Sequence, residues 1–462
     1  MSLTPWAPEY RRLSTGIVAL VSVFGFEGIA IAAVMPVAAT DLNAISNYAV
    51  TFTSFTMASL LGMSFAGLWA NKLGLAKVVI FAIATLAIGS LVAGFAPNLA
   101  VLTIGRSLQG FALGLDLVTM YVVIGRMYPE SLRAKALGML AAAWVVPGLI
   151  GPGLAGLLVE ISSWRMTFWI VPLLLVIPTM LLIPELKKLP LVPSPARPDA
   201  LKQVIAVLVA IAALALFQGG ASHVGRWPTL NIVLIAIVSL SFTAWTTTVL
   251  MPKGFLRIAP GIPAVAGMRG VVAGAFFAAE IYVPLALQEI RGVSVALSGG
   301  VLTAATITWF AGSWLQGSHR LKLSREQILV IGVLMTTLGI ALIPIAVFVP
   351  NSIGMAALLA SLVWGVSAFG MGICFPTLGV LMLDKSLEAE HARNSASLQM
   401  SDSFGVIIAT ALAGSLLSVA SLNSNITSAT FTSIWIFCAI VGLISILFIP
   451  RIQAKVTSKL SA

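Results

Sequence analysis

Charge is what this sequence has least of. Only 9% of its 462 residues are Asp, Glu, Lys or Arg, while 59% are hydrophobic and the mean hydropathy is +1.05. A soluble globular chain carries about 25% charged residues, so that class is excluded and an all-α, polytopic membrane protein is indicated. Cysteine is nearly absent as well: Cys374 and Cys438 both fall in apolar runs, which argues against a disulfide. The three histidines, His223, His319 and His391, are scattered over predicted loops, so neither a metal site nor a cofactor is indicated. No nucleophile, base and orienting-group constellation appears, which argues against an enzyme. Acids are scarcer than bases, 15 against 26, for a net charge of +11. Such a balance can signal nucleic acid, but the bases sit where a membrane orientation signal places them, and no nucleic acid partner is expected.

What is there is apolar length. A bilayer-spanning helix needs roughly 20 mostly apolar residues. By that measure about fourteen runs qualify, near 15–39, 50–70, 77–96, 99–125, 135–159, 164–184, 202–222, 229–250, 264–288, 295–317, 327–349, 353–383, 394–420 and 429–450. The first lacks a small-residue cleavage pattern and reads as a retained span.

When the loops are sorted alternately between two sides, the basic residues divide unevenly. One side takes Arg11, Arg12, Lys72, Lys77, Arg126, Arg133, Lys135, the linker bases Lys187 to Lys202, and Lys253 and Arg257. It also takes Arg320 to Arg325, Lys385, Arg393 and the tail from Arg451 to Lys459. The other side takes only Arg165, Arg226 and Arg291. This split places both termini in the cytoplasm and supports an even number of spans in a cell membrane. The longest polar break, Glu185 to Lys202, carries Pro190, Pro193, Pro195 and Pro198 and reads as a stiff cytoplasmic linker after six spans. The expected organisation is a six-helix bundle over 1–184, a linker over 185–201, two additional helices over 202–263 and a second six-helix bundle with a short tail over 264–462.

Charges inside the spans stand out because one near the middle of a bilayer costs on the order of 2.5 to 3.5 kcal/mol and normally faces protein or water. They are Glu27, Arg106, Asp116, Glu280 and Asp402. Glu27 lies about 18 Å along a helix entered from the cytoplasm and Arg106 about 10 Å along one entered from outside, so their depths nearly coincide and the two can approach. Burial favours the neutral form of such a carboxyl group and a nearby arginine its charged form, so a modest rearrangement can load or release a proton. A fixed ion pair that only locks two helices is the alternative. Asp116 and Asp402 fall in the cytoplasmic half and Glu280 in the outer half. Ser401 and Ser403 flank Asp402 and could cap it locally. Arg269, near the start of its span, is expected to snorkel to the cytoplasmic surface. Trp69, Trp164 and Trp227, near span ends, are expected to be interfacial anchors.

Several motifs are carried on this pattern. Leu102, Gly105, Arg106, Gln109, Gly110 and Gly114 resemble the fourth-helix motif of the major facilitator superfamily, and Pro147 to Gly156, built on Gly151, Pro152, Ala155 and Gly156, resembles its fifth-helix antiporter motif. Small residues there let helix backbones approach closely. The loop from Gly67 to Lys77 keeps Gly67, Gly74, Lys72 and Lys77 of the superfamily's cytoplasmic gate motif, but has Asn71 in place of its acid. The stretch from Gly312 to Arg325 matches that motif more weakly. Phe26 to Pro36 with Asp41-Leu42, Trp164-Arg165 to Pro172, and Tyr282 to Gln288 resemble the first, sixth and ninth spans of the fourteen-span drug:proton antiporters. The resemblance implies a major facilitator fold of about fourteen transmembrane helices, arranged six plus two plus six. It also implies proton-coupled export of amphipathic, often cationic compounds by alternating access, with a small-molecule substrate, protons and the lipid bilayer as partners of a monomer. Proton-coupled transport of a metabolite or lipid-like molecule, or a non-transporting membrane receptor or sensor, are the alternatives.

In a background lacking Cys374 and Cys438, a cysteine at Ser194 should react with an impermeant maleimide only from the cytoplasmic side, and one at Ser424 only from outside. Reaction of both from one side would overturn the fourteen-span orientation.

Overall fold

A backbone in hydrocarbon has to satisfy its own hydrogen bonds, so long apolar runs become helices. The computed structural model describes residues 4–189, 200–318, 322–387, 390–422 and 426–453; the linker prolines and the two labelling positions, Ser194 and Ser424, lie outside the described residues. The helices are α1 (Pro8–Asp41), α2 (Tyr48–Leu73), α3 (Leu75–Gly94), α4 (Leu99–Met127), α5 (Glu130–Ala142), α6 (Val145–Ile161), α7 (Trp164–Leu174), α8 (Val176–Leu186) and α9 (Ala200–Ser222). They continue with α10 (Thr229–Leu250), α11 (Ile262–Glu280), α12 (Tyr282–Glu289), α13 (Val295–Gly317), α14 (Arg325–Phe348), α15 (Ile353–Asp384), α16 (His391–Leu422), α17 (Ser428–Ile444) and α18 (Ile449–Gln453). Among the described residues there is no strand, and fourteen helical segments are long and apolar enough to cross a membrane.

Four of the expected spans are not single helices, and proline explains three of the breaks. A proline cannot donate the hydrogen bond that the carbonyl four residues earlier would accept. Pro147 therefore separates α5 from α6, and the carbonyl of Ala143 accepts instead from Ser22 Oγ on α1 at 2.9 Å. Pro178 falls just after the α7–α8 junction, and Pro284 just after the junction of α11 with α12, so α11 ends at Glu280. The fourteenth span tightens into a 3-10 turn at Ser445–Phe448 before α18. The first helix is longer than expected at its start, because Pro8 occupies the first turn, where the missing N–H has no intrahelical partner in any case.

The described chain forms two compact units. The first contains residues up to Ile211 and Ser294–Thr303. In it, α4 packs backbone to backbone on α2 and α3: a Cβ at Gly110 would lie 2.0 Å from the Phe55 carbonyl oxygen and one at Gly114 2.0 Å from that of Ser59. The start of α13 packs on α6, where a Cβ at Gly156 would lie 2.5 Å from Ala296 Cα. The tight turn from α2 to α3 is made at Gly74, whose φ of 84° and ψ of 155° suit a residue without a side chain.

The second unit contains Ala212–Val293 and the chain from Ala304 onward. Its α11 is its most enclosed helix, with Gly270 and Gly274 against the backbone of α16. Here α9 and α10 lie on α16, with Phe217 and Ala221 packed on Ala411 and Ser418 Oγ donating to the Ser222 carbonyl at 2.9 Å. One face of α10 stays open, exposing Leu230, Leu234, Ile237, Phe242 and Trp245.

Replacing Gly156 by Leu should lower the detergent unfolding temperature by several degrees, since forcing bulk into a closed helix contact costs about 1–3 kcal/mol. The same change at Gly153, which has open space around it, should leave the transition in place. Equal effects in thermal melts would contradict the packing described.

Candidate functional site

In the first unit the charged residues meet. Arg106 on α4 donates from Nη1 to Glu27 Oε1 on α1 at 2.5 Å and to Gln109 Oε1 at 3.0 Å. Gln109 in turn donates to Ser90 Oγ on α3 at 2.9 Å, and the guanidinium lies over the Phe55 ring of α2, 4.3 Å from its centroid. Four helices are thus tied to one arginine. The pair is dry, with side-chain exposures of 3% and 1%. It is also incompletely satisfied: Glu27 Oε2 and Arg106 Nε have no hydrogen-bond partner among the described residues. A buried donor or acceptor left open costs about 1–3 kcal/mol, and a carboxylate with one bare oxygen is an acceptor waiting for a proton or a polar ligand.

The second unit repeats the chemistry on other helices. Arg269 on α11 donates from Nε to both carboxylate oxygens of Asp402 on α16, at 3.0 and 3.1 Å, and from Nη1 to the Phe375 carbonyl on α15 at 3.1 Å. Its guanidinium lies 3.9 Å from the Phe375 ring centroid. Pro376 frees the neighbouring carbonyl of Gly372, which accepts from Ser313 Oγ on α13 at 3.0 Å. Two expectations are corrected here. Arg269 does not snorkel to a surface, because about 10 Å of helix separates it from the start of α11 and a half-buried acid lies across from it. Ser401 and Ser403 do not cap Asp402 either; their hydroxyls donate to the carbonyls of Ala266 and Gln399.

The other two acids stand apart. Asp116 is buried on α4, 2% exposed, and its Oδ1 has no hydrogen-bond partner among the described residues. Thr119, one turn on, is buried with an equally bare hydroxyl. Glu280 closes α11, makes no ion pair among the described residues and is partly accessible. Among the described residues, the structure therefore brings Glu27 to Arg106 and leaves Asp116 and Glu280 without a cation.

The motif residues divide in the same way. Gln109, Gly110, Gly151 and Gly156 make the contacts just described or, for Gly151, lie against Ala30 and Phe26 of α1; Pro152 packs on Gly299 of α13. Gly67 has open space around it and Asn71 is half-buried, both within α2, while the turn into α3 is made at Gly74. In the second unit Arg325 does pair with Asp384 across the ends of α14 and α15. Trp164 is another correction: it is 3% exposed and donates to Asp41 Oδ2 at 3.0 Å rather than sitting at a lipid interface, because Arg165 stacks on its ring and binds the same oxygen at 2.8 Å. Phe55 and Phe375, which carry the two guanidiniums, were not singled out from sequence. Both lie in apolar spans where a ring is unremarkable.

A model of the Major Facilitator Superfamily matches residues 15–397. The multidrug transporter protein MdtP of Bacillus subtilis (strain 168) is 23% identical over 426 residues, covering 89% of this chain and 76% of that protein. The multidrug efflux pump SdrM of Staphylococcus aureus (strain N315) is 23% identical over 369 residues, 76% of this chain and 79% of that one. An uncharacterized MFS-type transporter of Mycobacterium tuberculosis (strain ATCC 25618 / H37Rv) is 28% identical over 297 residues, 59% of this chain; the match spans only 42% of that longer protein. Among solved structures, a POT family transporter in complex with 5-aminolevulinic acid superposes with a TM-score of 0.68 at 16% identity, covering 96% of this chain and 97% of that one. A D-xylose-proton symporter gives 0.64 at 15% identity, covering 96% and 99%.

Breaking the buried pair from one side strands a charge, so Arg106→Gln should cost about 3–5 kcal/mol of stability. The double change Glu27→Gln with Arg106→Gln removes both charges and should recover much of it. Thermal unfolding of the two single variants and the double variant reads this cycle; additive losses would contradict a direct interaction.

Proposed function

The chain belongs to the Major Facilitator Superfamily, and from that premise we propose that this membrane transporter exports amphipathic, often cationic compounds by alternating access, driven by inward proton flow. The observation that carries the reading is the water-excluded Glu27–Arg106 pair with one carboxylate oxygen left bare. Two named relatives, a multidrug transporter protein and a multidrug efflux pump, support the cargo class. The basic loops support a cell-membrane protein with both termini in the cytoplasm, and we take the transporting unit to be a monomer.

In this reading Glu27 is the coupling carboxylate. A proton arriving on Oε2 neutralises the acid and weakens its hold on Arg106, whose remaining contacts are Gln109 and the Phe55 ring. Deprotonation restores the pair. Because Arg106 joins α1, α2, α3 and α4, each protonation state favours a different arrangement of these helices. Coupling then requires that proton and cargo bias the same two arrangements differently. The glycine contacts of α6 with α1 and α13 supply smooth helix surfaces for such a shift. Asp116, buried without a partner among the described residues, is a second carboxyl group available to the proton path.

Glu27→Gln keeps size and hydrogen bonding but removes titration. The variant is expected to bind cargo while losing both substrate-induced proton release in detergent and pH-driven transport in proteoliposomes. Normal proton release from the variant would move the coupling role to another acid.

A further inference from the structure

Two acids lie well inside the spans of the second unit, Glu280 and Asp402, and they differ in their surroundings. Asp402 is held by Arg269. Glu280 has no cation within ion-pair distance among the described residues and is partly accessible, so any charge it carries is uncompensated. Trp364 on α15, which stacks on Phe276 one turn before Glu280, is 0% exposed, and its indole N–H has no hydrogen-bond partner among the described residues.

Glu280 also stands at the head of a run of aromatic rings. Phe276 stacks on Trp364 at 4.9 Å between centroids with planes 20° apart, and meets Trp309 of α13 edge-on at 5.5 Å. Phe277 lies 6.0 Å from Trp309, and Trp309 lies 5.4 Å from Phe375, which carries Arg269. Phe276 and Glu280 follow Arg269 by seven and eleven residues, which places both within about 20° of its helix face. Trp364 and Phe276 are fully buried, whereas Phe277, Trp309 and Phe375 keep accessible surface. A ring face attracts a cation, by about 0.5–2 kcal/mol depending on desolvation. In this unit the inner end of the run already holds one, the Arg269 guanidinium. The Glu280 end has the same two components, a carboxylate and rings, and no cation of its own. It also coincides with the break that Pro284 imposes on the span, where side chains of a discontinuous helix are free to meet a ligand.

We propose that Glu280, with the rings of Phe277 and Trp309, forms a cation-recognising subsite, taking amphipathic aromatic monocations whose charge meets the carboxylate and whose rings lie on the two side chains. Glu280 is then a substrate-binding residue, distinct in role from Glu27. The assignment rests on the export reading for the identity of the cargo alone, and its test involves no proton transfer.

The test is equilibrium binding of tetraphenylphosphonium, a permanent aromatic monocation, and of triphenylphosphine oxide, its neutral counterpart, to the full chain in detergent at one alkaline pH. Glu280→Gln should weaken the cation at least about tenfold and leave the neutral compound within about twofold of the parent. Trp309→Ala should weaken both. Parental affinity of Glu280→Gln for the cation, or an equal loss of both compounds, would overturn the assignment. A measurement on the unaltered protein stands beside it: tetraphenylphosphonium should shield Glu280 from carbodiimide labelling, read by peptide mass spectrometry, and absence of shielding would also overturn it. Failure of either arm leaves the proton-release behaviour of Glu27→Gln untouched, so the two readings fail separately.

Discussion

The constraint on which this structure depends is the absence of water from the bilayer interior. Each polar group that enters it has to find a partner inside the protein. The backbone meets that demand by forming helices, and its exceptions sit where proline removes a donor. At Pro147 a hydroxyl from α1 takes the released carbonyl of Ala143, and at Pro376 a hydroxyl from α13 takes that of Gly372. Three residues on, the carbonyl of Phe375 is taken by Arg269. Breaks in the spans are thereby made into contacts between helices.

The same demand sorts the charges. Each unit contains one arginine held between a carboxylate and a phenylalanine ring, Arg106 with Glu27 and Phe55 in the first, Arg269 with Asp402 and Phe375 in the second. In both, a planar guanidinium is desolvated by a ring and compensated by an acid, an arrangement suited to arginine's weak hydration and fork geometry. The two differ in completeness. Arg269 engages both oxygens of its acid, whereas Arg106 engages one and leaves the other bare. That difference makes the first pair the better candidate for a group that titrates and the second the better candidate for a fixed tie between α11, α15 and α16.

Close packing does the rest. Helices in lipid gain little from burying apolar side chains against one another, so contact depends on how near the backbones come. Gly110 and Gly114 bring α4 onto α2, and Gly156 brings α6 onto the start of α13, at separations no side chain would permit. Gly67 belongs to a sequence motif of similar appearance yet touches nothing, which shows that a glycine in a motif is not by itself a packing contact.

Membrane class, the fourteen spans and the depth match of Glu27 with Arg106 were determined by the sequence alone, because hydropathy and helical rise are local quantities that need no knowledge of neighbours. Which charges would be left without a cation was not so determined. Arg269 read as a surface-seeking side chain and Asp402 as an acid capped by its own serines, and only the packing of α16 against α11 joined them. The breaks at Pro147 and Pro284 were written in the chain, but the hydroxyl that answers the first comes from a helix more than a hundred residues away. The isolation of Glu280 is likewise a tertiary fact: an ion pair is decided by what stands across the gap, and periodicity along one helix carries no information about the side chains of the next.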